Sequence, residues 1–108
     1  MHTSKKSYRD FEELVRTIGC IITGSPHPQI HHVKGRTFKH NKILIGPWYI
    51  LPLHYDLHNG SHPNAYHNSK HGFIAAYGHP RYLFKQVLDK IDYNLDQDII
   101  SAIMDCYV

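Results

Sequence analysis

The segment that most restricts the fold of this chain is ILIGPWYILPL, residues 43–53. Its β-branched and aromatic residues favour strands, and Pro47 cannot donate a ladder hydrogen bond, which confines the early part to an edge or a bend. A shorter segment of similar character, QIHHV at residues 29–33, precedes it, and the basic stretch KGRTFKHNK at 34–42 lies between them without periodicity. The sequence therefore predicts a two-stranded hairpin with a basic loop.

Helical periodicity flanks this hairpin on both sides. Phe11, Leu14, Val15 and Ile18 form one apolar face within residues 8–18, since positions three and four apart share a helix face. The sequence also predicts helices at about 53–62, 71–78, 82–94 and 97–106. This order predicts an α+β fold with a small sheet, and 108 residues fit a single domain spanning 1–108.

Composition excludes several classes of protein. No apolar stretch approaches the length that crosses a bilayer, and the polar, basic start MHTSKKSYRD lacks the apolar part of a secretory signal. We therefore expect no membrane contact and an intracellular, cytoplasmic location. Cys20 and Cys106 cannot form a dense disulfide framework, although a single bridge stays open. The net charge of +3 fits contact with a polyanion but is common in other proteins.

Histidine is the informative residue type. The chain has eleven, of which ten fall between positions 27 and 79, and histidine is both the commonest metal ligand and a proton carrier near neutral pH. A helix at 53–62 would place His54, His58 and His62 on one face, because a spacing of four is slightly more than one turn. Asn59-Gly60 weakens that helix, since a glycine inside a helix costs about 1 kcal/mol relative to alanine.

The doublet His31-His32 lies on the first predicted strand. Neighbouring side chains of a strand point to opposite faces, so the two rings are expected to have different roles. One can join His58 and His62 in a three-nitrogen metal site with open positions, which is the catalytic kind of site, while the other acts as a free base. Such a division of labour suits phosphodiester hydrolysis. The alternative is that these are solvated or hydrogen-bonded structural histidines.

The segments QIHHV and, some twenty residues later, YILPLHYDLHNGSH resemble the HNH (His-Me finger, ββα-metal) endonuclease motif. More narrowly, the series CIITG, IHHV, ILPLH, LHNGSH and FIAAYG is similar to phage recombination-enhancement (Ref-like) nucleases. The match covers about residues 18–80. It implies a ββα-metal core at about 18–66. The C-terminal helical part at about 70–106 is predicted by periodicity and not by this resemblance. The resemblance further implies that His31, His58 and His62 bind one divalent ion (Mg²⁺, Mn²⁺, Ni²⁺ or Zn²⁺) and that His32 is the general base.

The chain departs from this motif at the asparagine that orients the base. That residue should fall near Trp48 or Tyr49, and neither is asparagine. We therefore expect the Tyr49 hydroxyl or a backbone carbonyl to orient His32; the alternative is a slow enzyme. Asn41, in the basic loop, is a weaker substitute.

Many HNH proteins also hold a structural zinc through two pairs of cysteines. Here Cys20 stands at the first of those positions and His54 at the third, while Thr23 and Leu57 occupy the others. A second, structural Zn²⁺ on Cys20 and His54 would therefore need two further ligands, from among His27, His67 and Cys106. The alternative is that Cys20 is simply buried, because free cysteine packs as a small hydrophobe.

Four cationic side chains lie in the basic loop and are expected to contact DNA: Lys34, Arg36, Lys39 and Lys42. Such contacts to phosphates fix the position of the nucleic acid without reading its bases, and they weaken steeply with salt. The alternative is an ordinary solvated loop. The resemblance also implies a phage- or prophage-encoded protein in the bacterial cytoplasm and, as a partner, a recombinase filament of the RecA type.

The sequence thus supports three hypotheses of different classes. The first is a metal-dependent DNA endonuclease with His32 as its base. The second is a catalytically silent, zinc-stabilised DNA-binding or adaptor module of a phage, in which the missing asparagine marks lost chemistry. The third is a metal-storage or metal-sensing protein, which would bind several ions per chain and no DNA. The sequence leaves the oligomeric state open.

Overall fold

The structure, a computed structural model, describes residues 5–60 and 62–106, with side chains from Tyr8 onward. Along the chain it contains, in order, α1 (Lys5–Thr17), β1 (Gln29–His32), β2 (Lys39–His40), β3 (Ile43–Leu44), β4 (Ile50–Leu53), α2 (Tyr55–His58), α3 (Lys70–Tyr77), α4 (Pro80–Lys90) and α5 (Gln97–Asp105). Within the described residues these are five helices and two small antiparallel hairpins. The α+β prediction is therefore confirmed.

The predicted hairpin is the pairing of β1 with β4. The strands run antiparallel, with His31 opposite Leu51 and His32 opposite Ile50. The connection between them is not a featureless loop as predicted, because β2 and β3 form a second hairpin within it. The turn between β2 and β3 has positive φ at both Asn41 and Lys42, the geometry of a type I′ turn, which matches the twist of two paired strands.

The core lies around β4, whose four residues are all buried. Helices α1 and α4 both contact this strand, so its apolar residues need not alternate with polar ones. The α1 residues Phe11 and Val15 are fully buried, and the Phe11 ring lies 5.5 Å from that of Trp48. From α5, Ile99 and Ile103 complete the same cluster.

Helix α2 is shorter than the sequence predicted. It begins after His54, whose Nδ1 accepts a hydrogen bond from the backbone N–H of Asp56, and it ends at His58. The chain then turns sharply, because the N–H of Gly60 bonds back to the carbonyl of Tyr55 at 2.9 Å. A Cβ at Gly60 would lie 2.7 Å from the Asp56 Cα, so this turn requires glycine.

The later helices differ from prediction only at their ends. Helix α4 begins at Pro80 rather than at residue 82, since proline is well suited to the first helical turn, and it ends at Lys90 rather than at 94. Helix α5 ends at Asp105, one residue before the predicted limit. None of the helices in 5–60 and 62–106 is long and apolar enough to cross a membrane.

Candidate metal centre

Three histidines from three different parts of the chain meet at one end of the β1–β4 hairpin. They are His31 in β1, His58 at the end of α2, and His67 in the loop that follows α2. One ring nitrogen from each lies within 4.8 Å of the others, close enough to share a metal ion. His31 is buried, His58 half-buried and His67 exposed, so the cluster opens to solvent on one side.

The loop after α2 is held against that helix by backbone hydrogen bonds. The N–H of Tyr66 donates to the carbonyl of Leu57 at 2.8 Å, and the N–H of His67 donates to that of His58 at 3.1 Å. Farther along, the Asn68 side chain donates to the Gly60 carbonyl at 2.7 Å. These contacts use the carbonyls left free at the end of a short helix, and they bring His67 beside His58.

Gln29 fixes the orientation of the His58 ring. Its Oε1 lies 2.8 Å from His58 Nδ1, so a proton on Nδ1 leaves Nε2 free to bind a cation. Gln29 precedes His31 by two residues and therefore shares its face of the strand. Hydrogen bonds of this kind hold ligating histidines in the correct tautomer and raise their basicity.

The Nε2 of His58 lies within hydrogen-bond distance of the Nε2 of His67. Their Nε2 atoms are 3.1 Å apart. Two ligand nitrogens about 2.0–2.1 Å from a tetrahedral Zn²⁺ lie about 3.3–3.4 Å from each other. The observed separation is therefore close to that of two ligands on one ion, and the residues fit a bound divalent metal.

His31 is suited to bind as a neutral ring. Only 2% of its surface is exposed, and its Nε2 is buried without a hydrogen-bond partner. Burial, aided by repulsion from His58, His67 and His32, lowers its pKa to about 3. The ring is thus uncharged at neutral pH, as a metal ligand must be. Leaving a buried polar atom unpaired costs roughly 1–3 kcal/mol, which metal binding would help to offset.

The structure does not bring His62, the predicted third ligand, into the cluster, because α2 ends before reaching it. His62 is exposed, and its Nδ1 accepts a hydrogen bond from the backbone N–H of Asn64 at 3.0 Å. His67 takes its place in the cluster. Helical spacing gave no sign of His67, whereas the Asn59-Gly60 turn signal pointed to an early helix end.

His32 lies outside the three-histidine cluster. The alternation of strand side chains predicted that one ring of the doublet would do so, and the resemblance implied that it is His32. It is half-buried, and the charged groups that act on it include Glu12 and Arg16 of α1. Burial, with repulsion from Arg36 and Arg16, lowers its pKa, and attraction from Glu12 opposes part of this shift. His32 also acts electrostatically on His31 and His58. It is therefore a neutral imidazole next to the candidate metal centre.

Tyr49 does not orient His32, contrary to prediction. It lies in a turn before β4, where its N–H donates to the Ile45 carbonyl at 2.8 Å. Its ring is fully buried against Phe84, and its hydroxyl has no hydrogen-bond partner in the described structure. Burial, together with Cys106 and Tyr66, raises the pKa of this hydroxyl. Asn41 is no substitute, since its side chain donates to Asp105 at 3.4 Å.

Cys20 and His54 do not form the second metal site considered from the sequence. The His54 ring caps α2, and within the described ranges the three-histidine cluster is the sole group of three or more potential ligands. Cys20 is buried and accepts a hydrogen bond from the N–H of Thr23 at 3.4 Å. Burial would raise the pKa of its thiol, but hydrogen bonds from Thr23 and from the His54 backbone lower it overall.

The structure places the four predicted DNA contacts in different local surroundings. Lys34 lies over the Phe38 ring at 5.0 Å, and Lys42 is in the β2–β3 turn. Arg36 and Lys39 are both exposed and line the same cavity on the α1 side.

Comparisons with protein-family models, curated proteins and solved structures gave no match to this chain.

Proposed function

We propose that this chain is a metal-dependent endonuclease that hydrolyses DNA phosphodiester bonds, with one divalent ion on His31, His58 and His67 and with His32 as general base. The observation that carries the proposal is the 3.1 Å separation of the His58 and His67 Nε2 atoms beside the buried ring of His31. A set of imidazole nitrogens favours Zn²⁺ or Ni²⁺ over Mg²⁺.

The order of elements supports a ββα-metal core at about residues 18–66. The antiparallel strands β1 and β4 lead directly into α2, with one cluster histidine on the first strand and one on the helix. The third comes from residue 67, just past that core. This chain would therefore use a ligand from a returning loop where the family motif uses a second helical position.

The proposed chemistry is shared between a bound ion and His32, acting on the same phosphate. A bound ion would polarise a phosphoryl oxygen and stabilise charge on the leaving oxygen. His32, with its lowered pKa, is neutral near pH 7 and can accept a proton from an attacking water. Arg36, which acts electrostatically on His32, is suited to bind the phosphate that the water attacks.

A catalytically silent, metal-stabilised DNA-binding or adaptor module is the second candidate. The observation in its favour is the position of Tyr49, whose hydroxyl lies in the core and gives no hydrogen bond to His32. An unoriented imidazole is a poorer base, because the tautomer and ring position of a catalytic histidine are normally fixed by a partner. In that case the ion would only brace the loop carrying His67.

Nicking of supercoiled plasmid, tested separately with Zn²⁺, Ni²⁺, Mn²⁺ and Mg²⁺, distinguishes the two candidates. We expect the wild type to nick with at least one ion, His32→Ala to lose activity but keep its metal, and His58→Ala to lose both. His71→Ala, on an exposed position of α3, is the matched control and should behave as wild type. A wild type that binds metal but never nicks would favour the silent module.

A further inference from the structure

A groove lies between α1 and the connection from β1 to β4. It consists of two adjoining cavities of about 470 and 320 Å³ that share Tyr8 and Arg36 as lining residues. Arg9 and Glu12 line the first cavity, and Lys39 lines the second. We call it the α1 groove. Each cavity is within the size range of sites that hold a small ligand.

The α1 groove is positively charged. Three exposed cations, Arg9, Arg36 and Lys39, line it against one carboxylate, Glu12. That carboxylate is itself paired with Arg16, 4.0 Å away along the helix. The surplus of cations favours a ligand with several negative charges in a row, and arginine binds phosphate oxygens through paired N–H groups.

Tyr8 adds an aromatic surface between these charges. Its ring packs edge-on against the buried Trp48, with centroids 5.6 Å apart, and it is partly exposed where it lines both cavities. A ring held in this way loses little freedom when a second ring stacks on it. An aromatic platform in a cationic groove is typical of sites for single-stranded nucleic acid, because only an unpaired base exposes its face.

The α1 groove adjoins the proposed general base. Arg36, which lines both cavities, follows His32 by four residues along the chain, and Glu12 of α1 lines the first cavity. Helix α1 also contacts β1, the strand that carries His32. A strand held in the groove would therefore pass next to His32.

We propose that the α1 groove binds single-stranded DNA, with Tyr8 stacking on one base and Arg9, Arg36 and Lys39 binding the phosphates on either side. Binding of single-stranded DNA by the groove does not depend on the proposed nuclease activity. Its role in presenting a strand for cleavage rests on the proposed function. In that role the substrate is DNA with an unpaired segment next to the cleaved bond.

The test is fluorescence anisotropy of a labelled dT12 oligonucleotide and of a 12-base-pair duplex, with the full chain in EDTA. We expect dT12 to bind more tightly than the duplex. Arg36→Ala should weaken dT12 binding. It should also make the fall of log affinity with log salt less steep, by roughly 0.7 in slope, as expected for one lost phosphate contact on a single strand. Lys85→Ala, on an exposed position of α4, is the charge-matched control and should change neither.

Substitutions of Tyr8 separate stacking from charge. Tyr8→Leu should weaken dT12 binding roughly tenfold, within the range found for removal of a stacking ring, while Tyr8→Phe should bind as wild type. His58→Ala should also bind dT12 as wild type, because His58 does not line the groove. A wild type that binds dT12 but nicks plasmid with none of the four ions would refute the proposed function and leave the groove proposal intact. The proposal that the α1 groove binds single-stranded DNA would be refuted if the duplex and dT12 bound with equal affinity. It would also be refuted if Arg36→Ala and Tyr8→Leu both bound dT12 as tightly as wild type.

Discussion

Gln29 and His58 are joined by a hydrogen bond of 2.8 Å between Oε1 and Nδ1, across the step from β1 to α2. This bond links the strand that carries His31 to the helix that carries His58. It sets the ring of His58 so that its other nitrogen lies 3.1 Å from His67. The candidate metal centre therefore depends on a residue that is not itself a ligand.

Replacing Gln29 should weaken metal binding without removing a ligand. In Gln29→Leu the His58 ring loses the partner that fixes its tautomer, and losses of this kind typically cost 10- to 100-fold in affinity. Titration of Zn²⁺ into the metal-free protein measures the change. Gln86→Leu, at an exposed position of α4, is the matched control. An unchanged affinity in Gln29→Leu would show that this contact does not support the site.

The buried ring of His31 predicts that the metal-free protein loses stability in acid. Its pKa is about 3 when folded, against an ordinary value of 6.5. The unfolded chain therefore binds one more proton between these values. The free energy of unfolding should fall as pH drops from about 6.5 toward 3, by up to ~1.4 kcal/mol per pH unit.

Urea unfolding in EDTA across this pH range measures the effect. His31→Gln should flatten the acid side of the profile, whereas His71→Gln, at an exposed position of α3, should leave it unchanged. A wild-type profile that is flat between pH 6.5 and 4 would contradict the burial of a neutral His31.

We expect Gly60 to couple the fold to the candidate metal centre. A methyl group there would meet the Asp56 Cα at 2.7 Å and the Asp56 carbonyl at 3.2 Å, so the turn that returns the chain toward α2 would have to open. We expect Gly60→Ala to lower the free energy of unfolding by about 1–3 kcal/mol and to weaken Zn²⁺ binding. Ile99→Val, in α5, should cost about 0.5–1.5 kcal/mol and leave metal affinity unchanged. Equal metal affinity in the two variants would refute the coupling.

Local sequence patterns were enough to predict the elements that pair or pack through their own periodicity. The strands around His31 and Ile50 and the helix containing Phe11 and Val15 are of this kind. The α+β class followed from their order. The separation of the His31 and His32 rings also followed from local geometry, since neighbouring side chains of a strand diverge. The choice of His32 as the separate residue came from the resemblance.

The errors arose where tertiary contacts override spacing. His62 has the spacing of a helical ligand, but α2 stops at His58 because the chain folds back at Gly60. His67 reaches the cluster because the backbone N–H groups of Tyr66 and His67 bond to the carbonyls of Leu57 and His58. Such backbone hydrogen bonds cannot be predicted from a pattern of residue types. Tyr49 lies in a turn rather than in β4, which directs its ring into the core.

The central claim is that His67, and not His62, completes the metal centre. Calorimetric titration of Zn²⁺ into the metal-free wild type, His67→Ala and His62→Ala tests it most directly. We expect one ion per chain in the wild type and in His62→Ala, and a loss of affinity in His67→Ala greater than the roughly 100-fold that removal of an outer hydrogen bond can cost. Binding that survives in His67→Ala and disappears in His62→Ala would contradict the account.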